Sequence, residues 1–176
     1  EETMTSWDGT ELFYRAWLPN GKKRKKALPL FHRGHEHSGR WQETVDALVL
    51  DDVAIFAWDA RGHGRSPGER GAAKDLADVI KDVDAFVRHV TERYAITLED
   101  MIVLAHSLAA VTVSAWVHDY APPLRALILA TAAFEVRLCL PLAIPALRVQ
   151  QKVTRTGNVT SYLRAQSLTP VAGAGV

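Results

Sequence analysis

The chain has 176 residues, enough for one domain with a core of its own and too few for two of ordinary size. Apolar residues make up 48% and charged residues 23%, an ordinary globular balance that excludes intrinsic disorder and a fibrous repeat. Lys and Arg number 21 against 20 Asp and Glu, so no overall charge draws the chain to nucleic acid or anionic lipid, and its single cysteine, Cys139, excludes an internal disulfide and a cysteine-based zinc cage.

Taken in chain order, Thr10 to Leu18 alternates apolar positions (Leu12, Tyr14, Ala16, Leu18) and ends at Pro19-Asn20-Gly21, which predicts a strand and a turn. Lys22 to Lys26 is an unbroken basic run, read as a solvated turn rather than as a nuclear signal or polyanion site. Ala27 to Phe31 and Val53 to Trp58 are short apolar runs suited to buried parallel strands, with a helix between them from about Arg40 to Leu50. Lys74 to Tyr94 places Leu76, Val79, Ile80, Val83, Phe86, Val87 and Val90 at helical spacing. A strand over Met101 to Ala105, a helix over Ala109 to Tyr120 stopped by Pro122-Pro123, and a strand over Leu124 to Ala130 complete the series. Strands alternating with helices predict an α/β fold with a mostly parallel sheet and helices on both faces. The core is expected over residues 1–134. The start of a lid or cap region and an irregular tail are expected over residues 135–176.

Glu1 onward lacks the basic and then apolar order of a secretory leader. The longest apolar stretch, Leu138 to Leu147, is interrupted by Pro141 and Pro145, and a membrane span takes about twenty residues. A cytoplasmic protein without stable membrane insertion is the expectation.

Leu104-Ala105-His106-Ser107-Leu108-Ala109 sets a serine between an apolar strand and a helix. On a sharp turn there, the hydroxyl projects above the carboxyl ends of the strands, towards the amide of Leu108, a geometry suited to attack on an ester. The same placement also suits a serine that merely caps the helix, and the local sequence leaves both readings open. Two polar, glycine-containing loops follow earlier strands and reach the same sheet edge: Phe31 to Trp41, which can offer a backbone amide to a developing oxyanion, and Trp58 to Gly68.

These three segments resemble the α/β-hydrolases, specifically the monoacylglycerol lipase and lysophospholipase branch of serine hydrolases. That branch carries an oxyanion loop like H-G-x-G-E-H-S-G-R-Y, a second loop like D-x-R-G-H-G-x-S-x-G and a nucleophile in G-H-S-x-G-G. Here His32 to Trp41, Asp59 to Gly68 and Ala105 to Ala110 stand at those places in the same order. The resemblance covers Thr5 to about Arg148 and is nearest to the hydrolase half of bacterial proteins that fuse such a domain to an S-adenosylmethionine-dependent methyltransferase. It implies Ser107 as nucleophile and the amides of Leu108 and Gly34 as the oxyanion hole. It further implies His106 as scaffolding of the turn, Asp59, Arg61, His63 and Ser66 as internal support of their loop, and His32, Glu36 and His37 as support of the oxyanion loop. Leu138 to Leu147 falls where the branch inserts a lid. The implied substrate is a carboxylic ester of lipid or small-molecule type; no cofactor, metal or nucleic acid is implied.

Departures from the pattern are expected to matter. Ala105 and Ala109 replace the glycines flanking the serine, and Arg33 replaces the glycine after His32. The triad acid and histidine that follow later strands in this branch have no counterpart here, so the chain reads as truncated at its carboxyl end. His118 and Asp119 do not substitute for them, because eleven residues along a helix is roughly 17 Å. His32, His35 and His37 lack the H-E-x-x-H zinc pattern. The competing expectation is a non-catalytic or truncated hydrolase-like binding or assembly module, self-associating through the exposed edge of its last strand.

Overall fold

A computed structural model of the chain describes residues 1–19 and 26–132. The basic run Lys22 to Lys25, Cys139, the lid segment, the tail and the proposed boundary at 134/135 lie outside the described residues. Nine elements matter here: β1 (Glu2–Thr5), β2 (Glu11–Trp17), β3 (Lys26–Phe31), α1 (Gln42–Leu48), β4 (Val53–Trp58), α2 (Leu76–Tyr94), β5 (Ile102–His106), α3 (Leu108–Tyr120) and β6 (Ala126–Ala130). Within the described residues the strands form one sheet in the order β1-β2-β4-β3-β5-β6. β4, β3, β5 and β6 run parallel, while β1 and β2 are antiparallel additions beside β4.

Both faces are covered, which is why the central strands read as continuous apolar runs. Every residue of β4 is buried. On one face Tyr14, Phe31, Phe56 and Trp58 pack against Val83, Phe86 and Val90 of α2 and Val113 and Trp116 of α3. On the other, Leu28, Leu30, Val53, Ile55 and Ala57 pack against Trp41 and Val45 beside and within α1. Pro29 occupies a central strand, where its missing N–H would normally break a ladder. The pairing of β3 with β5 tolerates it, being confined to Leu30–Leu104 and Phe31–Ala105 plus an isolated bridge at Ala27–Met101.

The predicted elements form within a few residues of their expected ends, and local chemistry explains the shifts. α2 starts at Leu76 because the Asp75 side chain accepts the Ala77 N–H at 3.0 Å. The stretch from Arg40 begins as a 3-10 turn, Ser38–Trp41, before α1. β1 has no expected counterpart, since only Met4 of its four residues is buried and no alternation marks it. Polar contacts help hold it: the Glu2 carboxylate accepts the Tyr14 hydroxyl at 2.8 Å and the Tyr94 hydroxyl at 3.2 Å. Among the described residues no helix is long and apolar enough to cross a membrane.

Candidate active site

Ser107 joins β5 to α3 with φ 58° and ψ −115°. A non-glycine residue pays for that conformation, which lies outside the ordinary left-handed well. Its amide donates to the Ala130 carbonyl at the end of β6 (2.9 Å), and its carbonyl accepts from Ala110 (3.1 Å). The Ser107 side chain makes no capping bond to α3, which removes the helix-cap reading of this residue. The two alanines are accommodated: Ala105 is fully buried within β5, and Ala109 packs at the margin of the larger core. Leu108 is the first residue of α3 and His106 the last of β5.

An open cleft of about 560 Å³ brings Ser107 together with Arg33, Gly34, His35, Glu36, His37 and Arg40 of the loop after β3. The left-handed residue of this loop is His35, at φ 63°, so Arg33 takes the place of a glycine without entering that region. Glu36 ties the loop together, its Oε1 lying 2.9 Å from Arg33 Nε and 3.8 Å from Arg40 Nε. His37 Nδ1 accepts the Gly39 N–H at 3.1 Å and so caps the 3-10 turn.

His32 is 4% exposed, and both its ring nitrogens are used. Nδ1–H donates to the Arg33 carbonyl (2.7 Å) and Nε2 accepts the Ala60 N–H (3.1 Å), which defines the tautomer. Burial is the chief cause of its lowered pKa, from 6.5 to about 4, so the ring is neutral at pH 7 and joins two loops rather than relaying protons. The unfolded chain accepts a proton that folded His32 refuses. This contribution to stability is therefore full above pH 6.5 and is expected to fall by roughly 3 kcal/mol by pH 4, levelling off below it. Urea midpoints measured between those pH values should show a steeper loss for the wild type than for His32→Gln, and parallel profiles would refute the assignment.

Asp59 lies between the two loops, 1% exposed. Its Oδ1 accepts the Ser38 N–H (2.6 Å), its Oδ2 accepts the Arg65 N–H (2.8 Å), and its carbonyl accepts the Ser66 hydroxyl (2.5 Å), whose oxygen in turn accepts the Phe13 N–H (2.9 Å). Gly64 is required here: at φ +48° a Cβ would stand 2.0 Å from Asp59 Oδ2 and 2.8 Å from His37 Cβ. His63 Nδ1–H donates to the Arg61 carbonyl (3.0 Å), its ring lies 5.2 Å from that of His32, and burial lowers its pKa.

Arg61 reaches beyond its own loop. Nε and Nη2 grip the two oxygens of Asp82 on α2 at 2.5 and 2.6 Å, and Nη1 meets Asp8 at 3.0 Å. Asp82 has no exposed surface, accepts the Ser6 hydroxyl as well, and escaped the sequence reading because it sits among the apolar positions of α2. Arg33 and Arg40 were also missed as neighbours of the serine. Their spacing around Glu36, at i+3 and i+4, was the available signal. His118 pairs with Asp119 at 2.8 Å in the last turn of α3, in an exposed position.

A family model described as "Serine aminopeptidase, S33" matches residues 22–171. The chain belongs to that family. Its fold is the α/β-hydrolase fold. Among known relatives, the "Uncharacterized protein YnbC" of Escherichia coli is 47% identical over 96% of this chain and 29% of its own length. The human "Monoglyceride lipase" is 38% identical over 52% of this chain and 30% of its own length. The chain thus spans under a third of these two relatives. Among solved structures, the monoacylglycerol lipase of Paleococcus ferrophilus superposes with a TM-score of 0.61 at 24% identity, over 82% of this chain and 52% of that one. A soluble variant of the Saccharomyces cerevisiae monoglyceride lipase does so with a TM-score of 0.67 at 16% identity, over 89% and 52%. These structural likenesses speak for the fold.

Proposed function

We propose that this chain is the nucleophile-bearing part of a serine hydrolase that cleaves carboxylic esters of lipid or small-molecule type. The observation that carries the reading is Ser107, strained at φ 58°, without a capping bond and facing a cleft shared with Gly34. The Ser107 hydroxyl adds to the ester carbonyl as a histidine takes its proton, and the amides of Leu108 and Gly34 receive the oxyanion. Collapse of the tetrahedral intermediate breaks the bond to the alkoxy oxygen, which leaves as the alcohol with that proton. Water then adds to the acyl-enzyme, the bond to the Ser107 oxygen breaks, and the acid leaves as the serine regains its proton.

The base and the acid that orients it are assigned to residues outside this segment. Support comes from the 29% of the Escherichia coli relative that the chain spans, and from His32, whose two ring nitrogens are both engaged. His32, Glu36, His37, Asp59, Arg61, His63 and His106 are assigned to positioning. Their loops carry the amides, and no cofactor or metal enters the scheme.

A fluorophosphonate probe tests the reading. Ser107 of the full-length protein should label, and Ser107→Ala should not. Absence of labelling, with a standard esterase labelled in the same tube, would overturn it in favour of the binding or assembly reading. One observation favours that second reading: among the described residues β6 is the last strand of the sheet, and its Ile128 and Leu129 are 46% and 37% exposed.

A further inference from the structure

We infer that Arg33 selects esters that carry an anionic group, a phosphate or a carboxylate, near the scissile bond. The inference rests on the hydrolase reading above and specifies its substrate class.

Position comes first. The Arg33 carbonyl is clamped by His32 at 2.7 Å, and its side chain lines the cleft that contains Ser107. Arg33 is therefore the immediate chain neighbour of Gly34, whose amide is assigned to the oxyanion, so whatever its guanidinium binds lies within a side chain's length of the reacting carbonyl. Charge is the second observation. Arg33 and Arg40 both approach the same oxygen of Glu36, at 2.9 and 3.8 Å. Two guanidiniums against one carboxylate leave the wall net positive, and with five N–H donors each they retain donors for a second anion. The Glu36 side chain is 18% exposed and that of Arg33 53%, so Glu36 anchors the arginine while its guanidinium still reaches the water of the cleft. Composition is the third. Among the described residues, the wall facing Ser107 has no apolar side chain, which suits the polar portion of an ester rather than a hydrocarbon chain.

Arg33 also stands where the resembling motif has glycine, so the cation is a property of this chain rather than of the motif. A neutral glyceride gives it nothing to pair with. A phosphorylated or carboxylated substrate replaces solvent at the guanidinium and is oriented by it, with the acyl carbonyl left to Gly34 and Leu108.

The test uses the full-length protein and two matched substrate pairs: a 1-monoacylglycerol against the same compound bearing a 3-phosphate, and methyl pentanoate against monomethyl glutarate. The wild type is expected to prefer the anionic member of at least one pair, and the pair that shows it separates phosphate from carboxylate. Arg33→Gly should reduce that preference about fivefold, mainly through KM, Arg33→Lys should retain part of it, and added salt should erode it. Equal turnover within both pairs by the wild type, or a ratio unchanged in Arg33→Gly, would overturn the inference. Fluorophosphonate labelling of Ser107 keeps the two claims apart. A wild type that labels but shows no preference refutes the anion selection alone, whereas one that does not label refutes the hydrolase reading. Should Arg33→Gly itself fail to label, Arg33→Gln, which keeps the length of the side chain, supplies the same comparison.

Discussion

On the hydrolase reading proposed above, replacing Ser107 by glycine is expected to abolish ester hydrolysis by the full-length protein and, at the same time, to raise its stability by about 1 kcal/mol. The two effects have separate causes. In that reading the hydroxyl is the attacking atom, and losing the nucleophile of a working triad costs roughly 10⁶-fold in kcat. The backbone at φ 58° and ψ −115° is costly for a residue with a Cβ, by about 1–3 kcal/mol, and glycine escapes that cost. Part of the gain is offset by the greater freedom of glycine in the unfolded chain, about 0.5–1 kcal/mol. Ser107→Ala is the control, since it removes the hydroxyl and keeps the Cβ. Thermal melts of the three proteins should place the glycine variant highest, with both variants inactive. If alanine and glycine melt together, the turn stores no strain and the hydroxyl is held by packing alone.

Asp82→Ala is expected to cost about 3–5 kcal/mol, although the residue touches neither Ser107 nor its cleft. Asp82 is fully buried and takes two bonds from Arg61 and one from Ser6. Truncation leaves a guanidinium with its two shortest bonds gone and Asp8 as its remaining carboxylate partner among the described residues. Arg61→Ala leaves the complementary fault, a buried carboxylate with a single hydroxyl donor. A double-mutant cycle should therefore give a coupling of about 2 kcal/mol or more, because removing both ends spares the uncompensated charge. The damage should spread to the site through the backbone. Arg61 lies in the same loop as Asp59, which accepts the Arg65 amide and also holds Ser38 in the loop lining the cleft. Hydrogen exchange at the Ser38 and Arg65 amides should accelerate in Asp82→Ala, and unchanged protection there would confine Asp82 to global stability.

These two residues show how differently parts of the molecule were written in the chain. Ser107 was legible because the boundary between an apolar β5 and the helix α3 is a local signal, and the turn follows from local backbone geometry. Asp82 was not legible, because its meaning depends on an arginine 21 residues away and a serine 76 residues away. Asp59 lies between these cases. Its place in a polar loop was readable, while its bond to Ser38 in a different loop was not.

The sequence by itself determined the alternation of strands and helices, the serine at the strand-to-helix junction and the glycine loops, because each rests on interactions among residues close along the chain. Tertiary structure alone decided the antiparallel pairing of β1 and β2 beside β4, the engagement of both His32 nitrogens, the buried Arg61–Asp82 pair and the gathering of Arg33, Glu36 and Arg40 around the cleft of Ser107. Each of these is a contact between segments brought together by burial of a shared core, and hydrophobic periodicity carries no record of which polar groups that burial makes neighbours.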